Sequence, residues 1–325
     1  MCFCGMIVGS HFAAVERVKI FGSPPAVESP DGIRYRKIRH LFHERSSVMI
    51  QSLRRHWPEF LVEAISLALF MLVAGSATAL IWHGDSPLHS YLSGVPVVQR
   101  LLMGLVMGLT VVSIVYSSLG RRSGAHINPA VTLTFLRLGK ISPWDALFYV
   151  AAQFTGAIIG MNVAWFLLGD WVSVSTVNFA VTVPGSAGHF AAFLAETLIS
   201  FGIMSIVLWS TNMPRLHDYT GLLVGLALVA NITLESPLSG MSMNPARTVG
   251  SAVPAHVFTG LWIYFLAPII GMLSAAELYL WKYGADAVHC AKLYHTHDVR
   301  CIFKCGYAME RQHHDHSPSE TMQDQ

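Results

Sequence analysis

Two short stretches carry the residues best suited to handling a small polar molecule: Asn128-Pro129-Ala130 and Asn244-Pro245-Ala246-Arg247. Asn is a favoured helix N-cap because its side-chain oxygen accepts a free backbone N–H. Proline fits the first helical position, where no N–H is needed. Each triplet therefore opens a helix, and capping through the amide oxygen leaves the NH2 group of the same side chain to donate elsewhere. The non-helical residues before each triplet offer backbone carbonyls as acceptors: Gly124, Ala125, His126 and Ile127 in the first copy, Gly240, Ser242 and Met243 in the second. Donors at the caps and acceptors along the approach make a ladder on which a neutral molecule such as water can exchange its hydrogen bonds. Two helix N-termini meeting at mid-membrane each present roughly half a unit of positive charge, and Arg247 adds its own. A cation that must shed its hydration therefore meets a barrier.

The helix after the first triplet is too short to cross a bilayer. Its apolar run, residues 130–138, makes about two to three turns, against the roughly 20 residues a hydrocarbon core requires. Backbone that stops partway through a membrane is tolerated only where protein or a watery cavity satisfies it. The surrounding sequence supplies the membrane context. Of 325 residues, 53% are hydrophobic and only 12% are charged, against about 25% charged in soluble domains. Apolar runs predict spans at about 60–82, 97–119, 143–168, 189–211, 219–234 and 258–283. Lys and Arg fall in residues 1–58, 120–140, 212–218 and the C-terminal tail, and are missing from the loops 83–96 and 169–187. The positive-inside rule then puts both termini in the cytoplasm, in a plasma or inner membrane, and six spans satisfy it.

This divides the chain into a basic cytoplasmic arm (1–58), a membrane domain (59–284, with halves 59–140 and 188–284 around a third span at 143–168) and a Cys/His-rich cytoplasmic tail (285–325). The arm holds nine Lys/Arg against four acids and reads as a partly disordered segment or a patch on anionic lipid, each cation contributing ~1 kcal/mol near the surface. Residues 1–14 are apolar without a basic start, unlike a cleaved secretory signal. Net charge +2 gives no reason to expect a nucleic-acid partner. The five Cys (2, 4, 290, 301, 305) all lie in the tails, and an odd count there argues against a disulfide framework. Cys290, Cys301, Cys305, His295 and His297 have the donor chemistry for zinc, but their spacing matches no standard finger, so no metal and no cofactor are expected. No nucleophile–base pair falls in the apolar body, so the chain does not read as an enzyme. Glu63 and Glu196 lie within spans. Intramembrane ionisable residues are functional candidates by default.

Ser123-Gly124-Ala125-His126-Ile127-Asn128-Pro129-Ala130-Val131 and Ser239-Gly240-Met241-Ser242-Met243-Asn244-Pro245-Ala246-Arg247 resemble the two signature loops of the aquaporin (major intrinsic protein) family. The resemblance covers about residues 59–284 and neither tail. It implies an all-α integral membrane protein with six transmembrane helices and two half-helices in an inverted three-plus-three repeat. It further implies a homotetramer in which each subunit passes single-file water and excludes protons and ions. Glu63 and Glu196 are similar to the family's buried acids that accept loop N–H groups. The narrowest point would be Met107, Ile232, Met241 and Arg247. The loop 119–122 is one residue longer than usual, which leaves Gly108 open beside Met107.

A Met, Ile, Met and Arg set lacks the aromatic and His that strict water channels often carry, and flexible Met adapts to varied shapes. Thr248 in place of Asp after the Arg, Ala252, Tyr264-Phe265 and the short 248–258 loop lean toward the water branch. Water is thus the leading permeant, with glycerol, urea, ammonia or hydrogen peroxide as alternatives. An ion-coupled transporter would need acids at the substrate, and both have structural readings; a closed adhesion protein would pass nothing. His126 resembles the family's His before the first motif, with a structural or mouth-lining role.

Overall fold

The computed structural model describes the backbone of residues 30–307, with side chains from residue 46. Expectations for residues 1–29, Cys2 and Cys4 among them, and for 308–325 lie outside the described residues. The chain separates into two units, Met1–Ser47 and Val48–Gln325, and only the start of one helix is described in the first.

Eight helices carry the architecture: α1 (Pro30–Trp82), α2 (Pro96–Tyr116), α3 (Pro129–Arg137), α4 (Pro143–Leu168), α5 (Gly188–Thr211), α6 (Thr220–Ser239), α7 (Pro245–Ala255) and α8 (Leu261–Tyr283). Proline opens α2, α3, α4 and α7 at the position that needs no N–H. Six helices are long and apolar enough to cross a membrane. α3 and α7, with 9 and 11 residues, are not. No strand occurs among the described residues. The order of three long helices and one half-helix is repeated, as expected of a doubled chain.

Two boundaries differ from expectation. The first span was expected from residue 60, yet the helix that carries it, α1, continues back through Pro58 to Pro30. The fifth span was expected to end at 234, yet α6 runs to Ser239 with Pro237 inside it. Pro237 has no N–H for the carbonyl of Thr233 four residues earlier; Arg100 Nε donates to that carbonyl at 2.9 Å instead. Glu235 therefore lies inside a spanning helix.

Small residues let the long helices meet backbone to backbone. A Cβ on Gly156 or Gly160 of α4 would sit 2.1 Å from the carbonyls of Ala64 and Ala68 on α1, and one on Gly271 of α8 would lie 2.3 Å from that of Thr197 on α5. The opposite helix faces are apolar and open: Leu109, Phe166, Leu198 and Leu226 are more than half exposed. Such a belt suits hydrocarbon and not water. After α8 the chain makes one 3-10 turn, Ala285–Ala287, then runs irregularly back over one end of the bundle. Val288, Ala291, Leu293 and Phe303 are buried in the same core as the helices.

Candidate functional site

Each Asn-Pro-Ala triplet caps its half-helix. Asn128 Oδ1 accepts the Ala130 N–H at 2.9 Å, and Asn244 Oδ1 accepts those of Ala246 and Arg247 at 3.0 and 3.2 Å. The amide nitrogens cross between the loops: Asn128 Nδ2 donates to the Met243 carbonyl at 2.7 Å and Asn244 Nδ2 to the Ile127 carbonyl at 2.8 Å. The expectation that the whole NH2 group stays available is thus corrected. One N–H of each amide knits the seam and the other remains, since an NH2 has two donors.

The approach to each cap is strained in the same way. Ala125 and Ile127 hold φ of 55° and 40°, Met241 and Met243 both 53°. Left-handed backbone at a non-glycine residue costs about 1–3 kcal/mol. One carboxylate per loop holds this shape. Glu63 receives Ser123 Oγ at 2.7 Å, the N–H groups of His126 and Ile127 at 3.1 and 2.7 Å, and Gln153 Nε2 at 2.8 Å. Glu196 receives Ser239 Oγ and the N–H groups of Ser242 and Met243, all at 2.7 Å. Tyr149 and Tyr264 repeat the pattern, donating to the carbonyls of Ser123 and Ser239 at 2.7 and 2.5 Å. Gln153 and Tyr149 were not legible as loop supports. Helical spacing set Gln153 beside a Gly pair whose packing explained the pattern, and nothing local ties a Tyr to a loop 26 residues away.

Two cavities lie along the loops. The wider, about 400 Å³, is lined by Trp82, Gln99, Met103, Met107, Ile232, Met241 and Arg247. The narrower, about 90 Å³, is lined by His126, Asn128, Asn244, Val131, Met204 and Leu293. Phe70, Leu228 and Ser242 line both, so the two cavities adjoin. The four expected filter residues thus share one wall system. Gly108 is not among them: a Cβ there would meet the Gly225 carbonyl and Val229 at 2.8 Å, so it faces α6. Arg247 lines the wide cavity, and its Nη1 is buried without a hydrogen-bond partner. Thr248 bonds the Ser242 and Thr182 hydroxyls at 2.5 and 3.1 Å. Glu235, just past the expected end of the fifth span, is buried within α6.

Three rungs of the expected carbonyl ladder already have protein donors. Ile127 and Met243 serve the seam, and the Gly124 carbonyl accepts the Leu293 N–H at 3.1 Å. His126 is buried. Its Nε2 lies 2.8 Å from the Ala291 carbonyl, which can only accept, so that nitrogen carries the proton. Its ring stacks with Phe135 and Phe303 at 5.1 and 5.3 Å. The C-terminal segment therefore packs over His126 and contributes Leu293 to the wall of the narrow cavity.

The same segment gathers Cys290, His295, Cys301 and Cys305, whose donor atoms all lie within 4.8 Å of one another. Irregular spacing gave no reason to expect this grouping; the folding of the segment creates it. His297, the fifth expected member, stands beside His295 with ring centroids 5.2 Å apart but outside the group. Hydrogen bonds from Cys290 and Cys301 push the Cys305 thiol well below its ordinary value. Burial alone would lower His295, but bonds to Cys301 and Cys305 hold it up at about 9.

A sequence profile of the major intrinsic protein family matches residues 49–279. The chain is 41% identical over 184 residues to aquaporin NIP2-2 of Zea mays, covering 56% of this chain and 60% of that protein. It is 36% identical over 181 residues to aquaporin NIP1-2 of Arabidopsis thaliana, covering 54% and 61%. The matches thus span about three fifths of the length of these relatives. The crystal structure of the aquaglyceroporin from Plasmodium falciparum superimposes with a TM-score of 0.56 at 22% identity, over 69% of this chain and 95% of that one, a likeness of fold.

Proposed function

The chain belongs to the major intrinsic protein family, and from that premise we propose that it is a passive membrane channel for water and other small uncharged molecules. The observation that supports this reading is the seam of the two capped half-helices, with Asn128 and Asn244 both lining the narrower of two adjoining cavities. A permeant there takes the second N–H of each amide and gives its own protons to loop carbonyls. The converging helix N-termini and Arg247 repel cations. Met107, Ile232, Met241 and Arg247 act as the filter, polar on one side only. Glu63 and Glu196 act as loop braces, so no coupling ion is required.

Water is the leading permeant. A broader reading, toward glycerol-sized solutes, is favoured by the methionine-rich wide cavity of about 400 Å³. We also propose a homotetramer with both termini cytoplasmic, from the family and from the distribution of Lys and Arg. Liposome shrinkage after an osmotic step, with sucrose and then glycerol as osmolyte, tests the reading. It is run on the full chain and on Leu293→Ala/Phe303→Ala, which trims the contacts of the C-terminal segment with the narrow cavity and His126. Fast shrinkage without re-swelling in glycerol means a water-selective pore. Re-swelling means the broader filter. No permeability in either folded protein would sink the channel reading.

A further inference from the structure

The cluster in the C-terminal segment is the only group of metal-ligating side chains gathered among the described residues, and the proposed channel makes no use of it. Its donors are three sulfurs and one imidazole. Cys290 Sγ and Cys301 Sγ are 3.6 Å apart, and Cys305 Sγ and His295 Nε2 3.2 Å apart. Around a tetrahedral zinc, with bonds of about 2.3 Å to sulfur and about 2.0–2.1 Å to nitrogen, ligand atoms stand roughly 3.5–3.8 Å from one another. Thiolate and imidazole donors select such a cation over magnesium or calcium.

Charge points the same way. Three thiolates and a neutral imidazole around a doubly charged ion leave one net negative charge. Lys292, a cation buried in the same segment two residues from Cys290, is held by the carbonyls of Arg121 and Arg300 at 2.7 and 2.9 Å. Residues 288–306 contain no helix or strand, yet much of this stretch is buried, and a shared ion would supply the closure that regular structure does not. The family match ends at residue 279, before the cluster begins.

We propose that Cys290, His295, Cys301 and Cys305 bind one zinc-type divalent cation, and that this ion fastens the C-terminal segment as a stopper in the mouth of the narrow cavity. The stopper half rests on the channel reading; the metal half does not. Between the ligands, Leu293 lines the cavity and its N–H holds the Gly124 carbonyl. Ala291 holds His126, and Phe303 covers its ring. Releasing the ion frees the loops that present these three residues.

The test starts with the full chain purified under reducing conditions. Elemental analysis is expected to find one equivalent of zinc per chain, and cobalt substitution the visible bands of a tetrahedral thiolate site. His295→Ala and Cys301→Ser lose the metal; His297→Ala keeps it. Absence of metal and of cobalt bands, a Cys290–Cys301 disulfide in their place, or equal loss in His297→Ala would overturn the site. If the ligand variants do not fold, stripping and reloading the unmodified protein gives the same reading. Hydrogen exchange across residues 288–305 is then expected to slow at least tenfold with metal, and equal exchange overturns the fastening. In liposomes, stripping is expected to speed osmotic shrinkage several-fold and zinc to reverse it, while Leu293→Ala/Phe303→Ala is fast in both states. If that variant conducts and stripping changes nothing, the stopper is wrong. If neither the variant nor the stripped protein conducts, the channel reading fails and the metal result is unaffected.

Discussion

Arg247 spends its backbone N–H on the Asn244 cap, lines the wide cavity, and has Nη1 buried without a partner. In the proposed filter, a side chain that is always charged would sort molecules by charge and by size. Arg247→Ala is expected to raise glycerol entry about tenfold and to admit small ions, read as re-swelling and as leak current. Unchanged exclusion would remove Arg247 from the filter. Asn244→Ala deletes a cap worth about 1 kcal/mol and the bond to Ile127 at once, so water flow should fall severalfold in protein that still folds. An unimpaired variant would deny Asn244 a place in the passage. These residues were legible because type and position together name the chemistry: an amide before a proline, twice, with one cation. Glu235 was not. Its significance depends on a helix running through Pro237, which in turn depends on Arg100 reaching across from another helix.

At the scale of the element, the two loops are costly shapes kept in place from outside. Two left-handed non-glycine residues in each cost several kcal/mol together, by the ~1–3 kcal/mol each carries. The bonds to Glu63 and Glu196 offset this, since hydrogen bonds to charged groups contribute about 1.5–3 kcal/mol apiece. Glu196→Gln puts an NH2 where one backbone N–H now finds an acceptor. We expect a lower Tm and reduced water flow, with the Glu63→Gln variant behaving alike. If both double as fully active and stable proteins, the brace reading fails. The long helices depend on close approach instead. Gly160→Leu would force α4 off the Ala68 carbonyl, and overpacking of about 1–3 kcal/mol should appear as a lower thermal midpoint. An unchanged midpoint would mean α1 and α4 part easily. The six spans were legible from apolar length, and the two half-helices from their Asn-Pro caps. Their ends were not, because a carbonyl freed by proline can be satisfied by a side chain distant in sequence.

For the whole molecule, the open apolar faces and the family predict four copies side by side in a bilayer, to be checked by cross-linking in native membranes; a monomer throughout would refute it. The C-terminal segment was the least legible part. Its cysteines and histidines were visible, but only the turn of the chain over the bundle brings residues 290, 295, 301 and 305 together. The meeting of α3 and α7 at their N-termini has a further consequence for what travels in single file. In the proposed channel, water approaching from either side would turn its oxygen toward the centre, where the Asn amides and helix ends are positive. The file would then reverse polarity at Asn128 and Asn244. Hopping of a proton needs an unbroken run of molecules all pointing one way, so a geometry that admits water in this manner would cut the wire along which acid could leak.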